Sequence, residues 1–145
     1  MVDAGVPQDV VTYLGRQPAA LRKVHRWCLR LPDTTVKQSH GSPTYQVRGK
    51  SYASTMHDHH ASGRTELWAK GAPGAQQTWI EEDPDRYYRP AYVGPSGWVG
   101  AWLDVDVDWP AIAEILVEGY LDRLPPRAAA AVDGPALVAV LRKVR

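Results

Sequence analysis

Phenylalanine is absent from this 145-residue chain, and cysteine occurs once, at Cys28. A lone cysteine excludes an internal disulfide and any multi-cysteine zinc or iron–sulfur site. No apolar run is long enough to span a bilayer, and the opening MVDAGVPQDV has neither the basic region nor the apolar segment of a secretory signal. The expectation is a cytoplasmic protein with no membrane association. The common catalytic motifs are missing too: there is no G-x-S-x-G elbow, no G-x-x-x-x-G-K-[ST] phosphate loop and no H-E-x-x-H helix. The chain is therefore read as non-enzymatic and without a cofactor. Cys28 falls on the apolar side of a predicted helix, where an inert core thiol is expected. His40, beside Ser39 and Ser42, is read as bracing a turn together with Tyr45 rather than as a general base.

What is present describes an ordinary globular domain: 44% of residues are apolar and 23% charged, and the length suits one domain with a substantial core. A monomer is the default expectation. The net charge of +1 conceals a segregation along the chain. Arg16 to Lys70 holds ten basic residues against three acidic ones, whereas Glu81 to Asp122 holds two against ten. If these segments occupy different sides of the fold they create a positive and a negative face; if they interleave, the field averages out.

Leu21, Val24, Trp27, Cys28 and Leu31 recur at helical spacing, which predicts an amphipathic helix from Ala19 to Leu31 between Pro18 and Pro32. A shorter helix from Gln8 to Leu14 precedes it. Strands are predicted at Thr35 to His40, Thr44 to Arg48, Ser51 to Met56 and Thr65 to Ala69, separated by turn formers at Gly41 to Pro43 and Gly49-Lys50. A helix from Pro73 to Glu82 follows. Trp98 to Val107 then alternates so that Trp98, Gly100, Trp102, Asp104 and Asp106 share one side, with Val99, Ala101, Leu103, Val105 and Val107 on the other. The valine side is taken as the core face. The two tryptophans then fill a second apolar layer or form a contact surface. Asp108 suits the N-cap of a helix from Trp109 to Leu124 with the stripe Ile112, Ile115, Leu116, Tyr120 and Leu124. A last helix runs from Pro135 to Val144 with Leu137, Val140, Leu141 and Val144 inward. Helices at both ends around a run of strands indicate an α+β fold with an antiparallel sheet covered on one face.

Leu31-Pro32, HGSPTYQVRGKSYA from His40 to Ala53, PAYVGPSGWVGAWLD from Pro90 to Asp104, and Asp108-Trp109 with the helix to Tyr120 together resemble the MmcQ/YjbR family of small bacterial proteins. The resemblance covers about Leu29 to Leu124. It implies a frataxin-like fold of five to six antiparallel strands with helices packed on one face, and a DNA-binding role. The whole chain is then one domain, with 1–17 as an N-terminal extension and 126–145 as a C-terminal helical tail.

Two functional readings come from the residues. Arg48 and Lys50 flank Gly49 at a tight hairpin, with Lys37, Arg64 and Lys70 on neighbouring strands or loops, so basic hairpins could contact the phosphates of nucleic acid. The bland alternative is a solvated hairpin whose charges keep the sheet edge from aggregating. The second reading is a small-molecule or drug-binding module whose pocket is lined by Tyr45, Tyr92, Trp98 and Trp102. His57, His59 and His60 are read as a polar loop, since adjacent histidines cannot easily face one ion from a strand, and no metal site is assigned. The acidic residues Glu81, Glu82, Asp83, Asp85, Asp104, Asp106 and Asp108 are read as caps, turns and solvated faces rather than as a cation site.

Overall fold

A computed structural model of the chain describes residues 5–145. Two helices come first, α1 (Gln8–Gly15) and α2 (Ala19–Cys28). Strands β1 (Thr34–Ser39), β2 (Ser42–Val47), β3 (Lys50–His57) and β4 (Thr65–Ala69) follow. Next come α3 (Ala75–Glu82), the two-residue β5 (Tyr87–Tyr88) and β6 (Val99–Trp102). The chain closes with α4 (Trp109–Arg123), α5 (Pro126–Ala130) and α6 (Gly134–Lys143). The strands form one antiparallel sheet in the order β1-β2-β3-β4-β6-β5. The expected architecture of α+β with helices on one face is what the chain adopts. Among the described residues, no helix is long and apolar enough to cross a membrane.

Two hairpins are closed by two-residue turns, His40-Gly41 and Arg48-Gly49, in which both residues take positive φ: 52° and 80°, then 51° and 77°. Such turns match the right-handed twist of paired strands, and glycine takes the second position at no steric cost. The core lies between sheet and helices. The α2 stripe of Leu21, Val24, Trp27 and Cys28, continued by Leu31, is fully covered, as is the α4 stripe of Ile112, Ile115, Leu116 and Tyr120. Asp108 caps α4 by accepting the Ala111 N–H at 3.1 Å, and Asp133 caps α6 through Ala136 in the same way. Val10 and Leu14 of α1 and Leu141 of α6 belong to the same core, so both terminal segments share its interior.

The predicted strand from Trp98 to Val107 stops at Trp102. Leu103 donates the last backbone bond to Thr65, and β5 offers only two residues for pairing on the other side. Beyond that point the alternation has no sheet to face. Val105, expected in the core, is 38% exposed, and so is Val140 on the outer side of α6.

Candidate functional site

The strand register builds the uncovered face of the sheet. Thr44, Ser54, Trp68 and Gly100 stand in one row across β2, β3, β4 and β6, and Gly100 pairs with Tyr88. Met56, Glu66 and Trp102 form the next row. A bulge where β2 shifts register between Tyr45 and Gln46 lets Tyr52 and Ala53 both enter the core, while Ser51, Ser54 and Met56 stay on the open side.

One half of that face is closed by its own contacts. The Trp68 indole N–H and the Tyr88 hydroxyl both donate to the buried carboxylate of Glu66, the first at 3.1 Å. Tyr88 stacks on Trp102 at 4.1 Å between ring centroids, and the Arg64 guanidinium covers Trp102 from beyond, 3.7 Å from the ring centroid. Arg64 is held in a two-pronged pair with Asp104, both contacts at 2.8 Å. Gly100 makes this possible, since a Cβ there would lie 2.4 Å from Tyr88 ring carbons. Burial, then the bond to Glu66, pushes the Tyr88 phenol far up, and Arg64 holds the Asp104 carboxyl below its ordinary range.

The other half is an open groove of about 890 Å³. Met56, Trp68 and Trp98 are packed together along it, with Val93 at their side, and Ser42, Thr44, Ser51 and Ser54 extend the lining over β2 and β3. His40, His59, His60 and Tyr92 stand toward the end where β3 leaves the sheet. Tyr92 is 75% exposed and, like His60, sits at positive φ, a conformation uncommon for bulky residues and enriched at ligand sites, whereas the positive φ of His40 belongs to its hairpin turn. The Nε2 of His59 is buried with no hydrogen-bond partner among the described residues.

Arg123 stands at the other end. It comes from α4, which approaches the sheet so closely at Gly119 that a Cβ would meet the Lys70 carbonyl at 2.6 Å. One turn later Arg123 extends along the same side of the helix. Its Nε donates to the Ser51 carbonyl at 2.7 Å, and its guanidinium carbon lies 5.9 Å from the Trp98 ring centroid.

The residues named for nucleic acid do not converge. Arg48 and Lys50 are exposed at the tip of the β2–β3 hairpin, and Lys37 is exposed on edge strand β1. Arg64 lies at the opposite end of β3, an eight-residue strand, hence about 25 Å away. Arg64 is paired with Asp104, and Lys70 donates to Asp122 at 2.8 Å with its side chain only 15% exposed. The basic and acidic stretches of the chain thus pair at these two points, while Arg86 pairs with Asp83 and Asp106 inside the acidic stretch itself.

Of the four residues named for an aromatic pocket, Trp98 lies in the groove and Tyr92 on its rim. Trp102 belongs to the closed half. Tyr45 is a correction: it lies wholly in the core, where its hydroxyl meets His25 Nδ1 at 2.8 Å. His57 turns to Thr65, 2.9 Å from its hydroxyl, while His59 and His60 face the groove with rings 4.1 Å apart. Among the described residues no group of three or more potential ligands is placed to hold a metal ion. Trp68, Met56 and Arg123 were not anticipated. Trp68 shares the parity of Glu66 and Lys70 against Leu67 and Ala69, which marks it for the open face; nothing local marks Arg123.

A family model described as YjbR matches residues 29–121. The crystal structure of a Deinococcus radiodurans protein, DR2400, with a domain described as DUF419, is similar in fold: TM-score 0.57 and 21% identity, over 68% of this chain and 73% of that one. No curated protein matches.

Proposed function

The chain belongs to the YjbR family, and we propose that this member is a non-enzymatic domain that binds a small, largely apolar molecule in the groove on its open sheet face. The observation that carries this reading is the groove itself. Its volume of about 890 Å³ is within the usual range for small-molecule sites, and it combines an aromatic and thioether wall with a few polar groups. Two further facts support it. Among the described residues, polar capacity at both ends is unused, at His59 Nε2 and on the Arg123 guanidinium. Burial pushes the Cys28 thiol up to about 12, so the only cysteine offers no thiolate nucleophile at neutral pH.

The test is a fluorescence titration with phenylnaphthylamine, a neutral probe that brightens in apolar surroundings. We expect a saturable, one-to-one rise with the parent protein and its loss in Ser54→Trp, which fills the groove from an open-face position, while circular dichroism stays unchanged. No saturable rise, or an equal rise in both proteins, contradicts the reading.

Nucleic-acid binding draws on a narrower observation: Lys37, Arg48 and Lys50 make no ion pair among the described residues. On that reading duplex DNA binds weakly and with steep salt dependence, and Lys50→Glu lowers the affinity for every sequence alike. A low-salt titration that shows this behaviour supports a second surface; one that shows no binding removes it.

A further inference from the structure

The charges around the groove specify more about its occupant than its volume does. Arg123, His40, His59 and His60 line it, and among the described residues no carboxylate does. Three other cations are matched, Arg64 with Asp104, Lys70 with Asp122 and Arg86 with Asp83, whereas Lys37, Arg48 and Lys50 are exposed and make no ion pair among the described residues. Arg123 differs. Its single hydrogen bond runs from Nε to the Ser51 carbonyl, so its terminal nitrogens have no partner among the described residues, and no acidic side chain pairs with it. The Ser51 bond fixes the guanidinium in orientation without neutralising it. A fixed, unneutralised guanidinium presents parallel N–H donors that fit a carboxylate, sulfonate or phosphate in two-pronged fashion.

The position of that charge relative to the apolar wall sets the second half of the specification. The guanidinium carbon is 5.9 Å from the centroid of Trp98, whose ring packs with Met56 and Trp68. A ligand that uses both must carry its anionic group directly on, or one or two bonds from, a flat apolar ring. A long-chain carboxylate has no such flat element to lie against the indoles, and a cation would meet the Arg123 charge with no acidic side chain among the described residues of the lining.

We infer that the groove selects small aromatic anions, with the ring against Trp98 and Met56 and the negative group on Arg123. The inference rests on the groove being a ligand site, and the experiment separates the two claims. Two probes share one ring system and differ by one charge: neutral phenylnaphthylamine and its sulfonated counterpart, anilinonaphthalene sulfonate. With the parent protein at low ionic strength, the sulfonate is expected to bind about tenfold more tightly or better, the scale of a charge-assisted hydrogen bond. Arg123→Gln removes that advantage, bringing the affinities for the two probes to within about twofold of each other. Arg123→Lys, which keeps the charge but not the planar fork, restores part of it.

Equal affinities for the two probes, or an advantage for the sulfonate that survives in Arg123→Gln, overturns the anion selectivity and leaves the groove standing as a site. Binding of neither probe overturns both. Circular dichroism and a denaturant melt on each variant confirm that the comparison is made between folded proteins. If Arg123→Gln fails to fold, the Arg123→Lys comparison and the salt dependence of the two probes decide: the advantage of the sulfonate must fall with added salt, and the affinity of the neutral probe must not.

Discussion

The two halves of the open sheet face are built from the same kinds of residue and have opposite fates. In the half that runs through Arg64, Trp102, Tyr88 and Glu66, each polar group meets another: Glu66 takes the donors of Trp68 and Tyr88, and Arg64 spends its charge on Asp104. In the half that holds Met56 and Trp98, the aromatic surface borders an open groove, and among the described residues His59 Nε2 is unbonded and Arg123 is paired with no acid. Aromatic and charged residues on a sheet face do not by themselves mark a site. The distinction lies in whether their bonding capacity is already used, because a satisfied network rigidifies the fold whereas unused capacity is available to a ligand. Substitutions in the first half should therefore cost stability and spare binding, and those in the second should do the reverse.

The largest expected effect comes from breaking the closed half at its tightest point. Gly100→Val places methyl groups where Tyr88 lies and should cost about 3 kcal/mol, the upper range of overpacking. A urea melt within about 0.5 kcal/mol of the parent, the range of surface substitutions, would show that the Tyr88 stack gives way freely. Tyr88→Phe keeps the ring on Trp102 and removes one donor from buried Glu66. It should cost about 1–2 kcal/mol, the penalty for under-satisfying a buried acceptor. Affinity for the naphthyl probes should stay within about twofold of the parent; a larger loss would mean that the two halves are coupled.

A smaller effect is expected at the partly exposed Arg64–Asp104 pair, whose side chains are 40% and 27% accessible. The folded-state carboxyl of Asp104 is held low by Arg64, so its stabilisation is present above the unfolded carboxylate range near 4 and is lost as pH falls through the folded value. Asp104→Asn should therefore be about 0.5–1 kcal/mol less stable than the parent at neutral pH, allowing for solvent screening. The difference should vanish in acid, where both chains lack the charge. A gap that stays constant down to pH ~2, below the usual carboxylate range, would show that the effect does not come from the carboxylate charge, since asparagine can still accept the Thr65 N–H. The smallest effect is expected from His59→Leu, which removes a buried unbonded nitrogen and should leave stability unchanged or raise it slightly.

Much of the fold was legible in residue spacing. The α2 and α4 stripes and the alternation from Trp98 to Leu103 placed those side chains on the correct sides, because each element is long enough or paired on both sides. Reading failed where a local pattern met a tertiary event. Tyr52, Ser54 and Met56 share parity, yet the bulge turns Tyr52 inward and leaves the other two on the open face. Tyr45 alternates with Thr44 and Gln46 in step with Val47, which assigns it to the core; its value as an aromatic obscured that signal. Arg64 and Lys70 read as free cations because their partners, Asp104 and Asp122, lie 40 and 52 residues further along. Arg123 was beyond reach for the same reason. Its place at the groove depends on α4 crossing the sheet at Gly119, and no spacing within α4 records that crossing.

The most direct test of the account is the set of six tryptophan indole N–H resonances, followed by NMR during titration with neutral phenylnaphthylamine. Trp27 and Trp109 pack against each other on the helical side, Trp79 packs on Tyr87, Trp102 lies in the closed half, and Trp68 and Trp98 line the groove. The Trp98 signal should move most, Trp68 should move with it, and Trp27, Trp79, Trp102 and Trp109 should hold still at saturation. Movement of Trp102 or Trp27 with Trp98 unmoved would contradict this.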